Sequence, residues 1–134
     1  MDALLDTPDR NTEQGWRDYV LLLFLYNTGA RAEEAASLQI KDLYMPKGKG
    51  LPVVTITGKG NKKRRCPLWD NTRKELRTLI GKREPDDFVF VNRLQQPMTR
   101  FGVYEMVTRH AKTLAERMPS VRDKRVSPHT IRHT

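Results

Sequence analysis

Between Thr12 and Gly29 lies a helix that is apolar on nearly every side, and it constrains everything around it. Thr12 can cap the helix by accepting a backbone N–H, and Gly29 is a natural stop because glycine readily takes the left-handed conformation that ends helices. Trp16, Tyr19, Val20, Leu22, Leu23 and Leu25 cover most of its surface up to about Thr28. A surface helix keeps one polar face; this one does not, so it must run through a core that other elements enclose. Its unbroken apolar run from Val20 to Tyr26 is seven residues, and Tyr19 extends it by only one. That is far short of the roughly 20 needed to cross a bilayer.

The rest of the chain supplies the enclosing elements. A short helix is expected over Ala32–Leu38, with Ala35, Leu38 and Ile40 facing inward. Leu51–Thr57 is β-branched and alternating, and Lys62–Leu68 reads as a return strand. Gly58-Lys59-Gly60-Asn61 between them is turn chemistry, making a hairpin with a strongly basic tip. Phe88–Val91 is a short strand that could join it. Asp70 or Asn71 can cap a helix over Thr72–Lys82. A longer helix is expected over Thr99–Arg117, with Phe101, Val103, Met106, Val107, Ala111, Leu114 and Ala115 inward. Met118–Val126 reads as a polar, basic loop leading to a terminal helix. The expected fold is mainly α with a small antiparallel three-stranded β-sheet. Residues 1–11 form a lead-in and residues 12–134 one domain.

Charge narrows the partner. Lys and Arg number 25 against 16 Asp and Glu, a net charge of +9, with a pI near 10. A polyanion is the natural partner, nucleic acid first. A membrane surface is disfavoured because no long basic amphipathic helix is evident. A single cysteine, Cys66, excludes an internal disulfide and suits a reducing compartment. Asp2, Asp6 and Asp9 are unlike a secretory leader, so the expected location is cytoplasmic.

Three basic elements stand out. Arg31 follows Thr28-Gly29-Ala30 at the junction of two helices, where packing can hold it beside free backbone donors. Its planar fork suits a phosphate, and Glu34, three residues on, could hold the guanidinium in place. The bland reading is an ordinary surface ion pair between the two. The hairpin Gly58-Lys59-Gly60-Asn61-Lys62-Lys63-Arg64-Arg65 carries five cations in eight residues. A glycine-flanked lysine on a turn can reach into a cleft, and lysine can donate a proton where neighbouring cations lower its pKa. The bland reading is a solvated basic hairpin. Finally, Ser127 can cap a helix opened by Pro128, placing His129 and Arg132 on one face near the positive end of the helix dipole. His129 and His133 also have an i, i+4 zinc spacing. A structural zinc needs further ligands, and the other candidates are Cys66 and the remote His110.

Taken in order, Thr-Gly-Ala-Arg-x-x-Glu, Gly-Lys-Gly-Asn-Lys-x-Arg-x-x-Pro-Leu after a strand, and Ser-Pro-His-x-x-Arg-His-Thr resemble the catalytic domain of tyrosine recombinases, the phage integrase family. The resemblance runs from about residue 12 to Thr134. It implies site-specific DNA strand cleavage and rejoining through a 3′-phosphotyrosyl link, with double-stranded DNA as partner and no cofactor or metal. It implies catalytic roles for Arg31, Lys59, His129 and Arg132, with Lys59 as general acid toward the 5′-hydroxyl. Glu34 and His133 are then supporting residues, and Lys62, Lys63, Arg64 and Arg65 contact DNA. Further copies of the chain, or full-length recombinase protomers, are implied assembly partners.

The family's nucleophilic tyrosine lies downstream of His-x-x-Arg, whereas Tyr19, Tyr26, Tyr44 and Tyr104 all precede His129. The expectation is therefore a partial catalytic domain with no nucleophile of its own, inactive alone. It would be a fragment of a prokaryotic recombinase or a naturally shortened product. The alternative is a non-cleaving DNA-binding or regulatory protein derived from such an enzyme. A basic structural protein would leave the three ordered motifs unexplained.

Overall fold

The computed structural model describes residues 2–46 and 50–117. Five helices and three strands follow in the order α1 (Asp2–Leu5), α2 (Glu13–Thr28), α3 (Ala32–Ala36), β1 (Leu43–Tyr44), β2 (Val53–Thr57), β3 (Lys63–Pro67), α4 (Asp70–Ile80) and α5 (Arg100–Arg117). The described residues are mainly helical, with an antiparallel sheet in the order β1-β2-β3.

Helix α2 is enclosed as its sequence requires. Thr12 Oγ1 accepts the Gly15 N–H at 2.9 Å, and Gly29, at φ 67°, returns its N–H to Leu25 O at 2.9 Å. Every residue from Asp18 to Leu25 is buried, which no one-sided helix allows. Helix α4 lies along it, tied by the Trp16 indole N–H donating to Glu75 Oε2 at 3.0 Å. Phe24 packs against Phe90 with ring centroids 5.6 Å apart. Residues 1–11, expected as a lead-in, contain α1, whose Leu4 joins the core, and Arg10, whose guanidinium lies 3.6 Å from the centre of the Tyr19 ring.

The start of α2 leaves no room for a side chain at Gly15. A Cβ there would lie 1.8 Å from Asp9 O and 2.7 Å from Thr12 Oγ1, the cap itself. Gly15→Ala must push the preceding turn off the helix and is expected to cost about 1–3 kcal/mol. Urea unfolding checks this, and an unchanged midpoint would mean that the turn yields freely.

The sheet departs from expectation in its third strand. Phe88–Val91 does not join the hairpin; β1 does, pairing Leu43 with Val54 and Tyr44 with Val53. Phe88 instead bridges Gln39, and Val91 bridges Pro97. Val89 donates its N–H to Leu38 O at 2.9 Å, while Phe90 O accepts from Met98 N at 3.1 Å. With Val89 and Phe90 both buried, the segment works as a plug between α3 and the approach to α5. Its β-branched and aromatic residues reflect burial rather than ladder pairing.

Two helix starts also differ. Neither Asp70 nor Asn71 caps α4: Trp69 is the N-cap residue, Trp69 O accepts from Arg73 N, and the Trp69 N–H goes to Asn27 Oδ1 at 2.8 Å. Asn27 also donates to Pro67 O, so α2 itself fixes the corner between hairpin and helix. At α5, Thr99 Oγ1 accepts the Gly102 N–H. Phe101, expected inward, is 69% exposed because it shares the first turn with Arg100, whose guanidinium lies 4.8 Å from its ring centroid. Val103, Met106, Val107 and Ala111 are buried as expected, and Leu114 is partly so.

Helix α2 is locked to α5 through a charge that the apolar pattern concealed. Asp18, 2% exposed, takes His110 Nε2 and Arg109 Nη2 on one oxygen, each at 2.8 Å, and the Arg17 guanidinium on the other. Arg17 also donates to Val91 O at 3.1 Å. Burial pushes the Asp18 carboxyl up. The hydrogen bonds from His110 and Arg17, with their charges, outweigh burial and hold it below its ordinary value. No helix among the described residues is long and apolar enough to cross a membrane.

Candidate nucleic-acid interface and catalytic cleft

Arg31 combines a fixed backbone with an exposed side chain. Thr28 Oγ1 donates to Phe24 O and accepts the Ala30 N–H, and Ala30 is buried. These bonds aim the chain as it leaves α2. Arg31 is then the N-cap of α3, in extended conformation, and its N–H donates to Glu34 Oε1 at 2.8 Å. Its guanidinium makes no hydrogen bond or ion pair with any other described residue. The expectation that Glu34 holds this guanidinium is corrected: Glu34 holds the Arg31 backbone, and its second oxygen accepts from Arg64 Nη1 at 3.0 Å. An arginine side chain has no acceptor with which to cap a helix, so the carboxylate three residues on does the capping.

Lys59 sits at the head of the β2–β3 connection. The Gly58 N–H closes the loop on Lys62 O at 2.7 Å, and Gly60 and Asn61 follow with φ of 73° and 59°. Two successive left-handed residues reverse the chain tightly, and glycine and asparagine tolerate that conformation best. Lys59 is therefore presented on a defined turn, exposed.

Both residues open onto one cleft of about 1020 Å³ between α3, the loop after it, the Thr55 and Thr57 face of β2, the hairpin turn and the start of α5. Arg31, Lys41, Lys59, Lys63 and Arg100 bring positive charge to its wall. Its acids are engaged: Glu34 as above, Asp42 by the Gln39 N–H at 2.9 Å, and Glu33 by Arg100 at 3.9 Å. Lys41 is paired with Asp86 at 3.1 Å and Arg100 with Glu33, so an anionic group entering the cleft would meet Arg31, Lys59 and Lys63 as the cations without such a partner among the described residues.

Lys41 and Arg100 were not legible as cleft residues, since each lies on an element that only tertiary packing brings to Arg31. Of the basic run, Lys62, Lys63, Arg64 and Arg65 are all exposed, Lys63 lines the cleft and Arg64 is paired with Glu34. His129, Arg132 and His133 lie outside the described residues, as do the expected Met118–Val126 loop and the terminal helix. His110, a candidate zinc ligand, is occupied by Asp18. Burial pushes the Cys66 thiol up more than nearby Arg64 lowers it. Tyr19 is buried, and none of Tyr19, Tyr26, Tyr44 and Tyr104 lines the cleft.

The family model for the phage integrase family matches residues 1–134. The chain belongs to the phage integrase family. Tyrosine recombinases XerD and XerC of Staphylococcus haemolyticus are 32% and 33% identical to it, over 98% and 100% of this chain. The chain spans 43% of the length of each, less than half of these integrase-family relatives. The XerH site-specific recombinase, solved bound to its difH substrate in a pre-cleavage complex, superposes with a TM-score of 0.77 at 23% identity. That match covers 99% of this chain and 39% of XerH. The Tn1549 transposon integrase, solved in complex with a circular intermediate DNA, gives 0.76 at 19% identity, covering 99% and 48%. At these identities the structural likeness establishes a shared fold, that of the tyrosine recombinase catalytic domain.

Proposed function

We propose that this chain is the DNA-engaging part of the catalytic domain of a site-specific DNA recombinase or integrase. The observation that carries the reading is the meeting of Arg31 and Lys59, from separate motifs, on one cationic cleft in a chain of this family. Relatives solved on DNA support the same partner.

In the proposed chemistry, a tyrosine oxygen gives up its proton to water and attacks a backbone phosphorus, and the bond to the 5′ oxygen breaks. Lys59 gives that oxygen its proton. Arg31, with Arg132 and His129, stabilises the negative charge that builds on the non-bridging oxygens. Donors fixed before reaction do this without reorganising, which is where most of their catalytic value lies. The covalent intermediate keeps the phosphodiester energy, so a hydroxyl can reverse the step without an energy source. None of the four tyrosines in residues 1–134 is proposed as the nucleophile.

Duplex binding by the 134-residue chain tests the DNA reading. Affinity should fall steeply with salt as cations on the protein release DNA counterions. Replacing Lys62, Lys63 and Arg65 together with alanine should reduce the log–log slope by about 2–3. An unchanged slope would remove the hairpin from the interface, and salt-independent binding would remove DNA backbone recognition altogether.

A further inference from the structure

The pleat sorts the basic run on β3 into two faces. Lys63 pairs with Thr57 and Arg65 with Thr55, while Arg64 pairs with Ile56. Residues opposite each other in an antiparallel ladder share a face. Thr55 and Thr57 line the cleft, whereas Ile56 is 1% exposed in the core. Among these three cations, Arg64 is thus the one on the face of β2 that carries the core, and there its guanidinium meets Glu34 at 3.0 Å.

Glu34 is at the centre of this contact. Its side chain is only 9% exposed, and its two oxygens reach two different elements: one takes the Arg31 N–H, the other Arg64. The hairpin also approaches it closely, since a Cβ on Gly58 would lie 2.8 Å from Glu34 Oε2. A single carboxylate therefore binds the backbone of Arg31 and the strand leaving the hairpin, and lies close beside the residue just before Lys59.

We infer that Arg64 is a positioning residue: its ion pair with Glu34 latches the hairpin to α3, so that Lys59 and Arg31 are held in one frame. Lys63 and Arg65 are left to face DNA. A charge-assisted hydrogen bond to a nearly buried carboxylate is among the stronger non-covalent links available to a protein. Arg64 itself is 45% exposed, so salt weakens the latch. Arg64 cannot pair fully with a DNA phosphate while it holds Glu34. This role rests on the recombinase reading for its purpose, but the latch itself is testable without DNA.

The test is amide hydrogen exchange on the 134-residue chain without DNA, comparing wild type, Arg64→Met and Glu34→Gln. Arg64→Met keeps the aliphatic stem and removes the charge. Exchange at Gly58 and across residues 60–65 should rise about tenfold, and at Arg31 to a lesser degree, with the α2 core amides unchanged. Glu34→Gln keeps an oxygen for the Arg31 N–H and should loosen the hairpin similarly, which carries the test if Arg64→Met does not fold. A uniform rise that includes α2, or no rise at the hairpin, overturns the latch. A second arm measures the salt slope on a mixed-sequence DNA duplex. Arg65→Ala should reduce it by about 0.9, and Arg64→Met should leave it unchanged. A reduction by Arg64→Met equal to that of Arg65→Ala makes Arg64 a phosphate contact and overturns the assignment. Absence of any DNA binding overturns the recombinase reading and leaves the exchange result to decide the latch.

Discussion

Asp18→Ala is expected to lower stability by about 3 kcal/mol, the lower end of the range for removing one partner from a buried ion pair. The residues left behind explain the size. Arg17 and His110 have side chains only 12% exposed, and both lose the carboxylate that faces them. Arg109 is 55% exposed and returns to water at little cost, which keeps the loss at the lower end. Asp18→Asn should cost less, because it preserves the shape and some hydrogen bonding. Chemical denaturation at neutral pH checks both variants, and wild-type stability in Asp18→Ala would show that the cluster contributes nothing.

The same carboxylate sets an acid limit. Its pKa is lowered in the folded state, so the stability it contributes is complete above the unfolded value of about 3.9. That contribution is lost as the pH falls from there through the lower folded value. Wild-type stability should therefore decline across this acid window, and Asp18→Asn should decline less steeply. Parallel acid limbs in the two proteins would assign the pH dependence to other carboxylates.

Arg31→Ala is expected to lower the rate of DNA strand cleavage by about 10²–10³ in a form of the protein that carries the nucleophile. Affinity should change only a few-fold. Arg31 is one cation among several on the cleft wall, so binding has substitutes for it. In the proposed chemistry, stabilisation of a developing charge has none, because it depends on one fork carried on a backbone that the Thr28–Ala30 corner and the Glu34 cap hold in place. Single-turnover cleavage at saturating enzyme, beside equilibrium binding, separates the two quantities. Equal losses of rate and affinity would make Arg31 a DNA-positioning residue. The folded state should be little affected, since the side chain is exposed and makes no contact that the core requires.

Much of the architecture follows from local chemistry, and those parts are legible in the amino-acid sequence. Thr12 and Gly29 bound α2 as written, because a hydroxyl cap and a left-handed stop act on neighbouring backbone. The hairpin from Val53 to Pro67 is equally plain from alternation and the Gly-Lys-Gly-Asn turn. Both are determined within a few residues, so a linear reading captures them. The cation-rich motifs that mark the candidate site are visible for the same reason.

The rest depends on partners far apart in the chain. Phe88–Val91 and Leu43–Tyr44 could each have supplied the third strand. The choice fell to Leu43–Tyr44 because Val89 and Phe90 are needed as a plug, which no local pattern reveals. The start of α4 passes to Trp69 because Asn27, 42 positions earlier, captures its N–H. Asp18 is inconspicuous in an apolar helix, since its value comes from Arg109 and His110 on α5. Glu34 could be placed near Arg31 by spacing, but its grip on Arg64 requires the hairpin to fold back across 30 residues. The sequence by itself determined α2 with both its caps, the β2–β3 hairpin, the approximate spans of α3, α4 and α5, and the chemistry of the motifs. Tertiary structure alone decided which charges neutralise each other and which are left facing the cleft, because electrostatic pairing depends on distance in space and not along the chain.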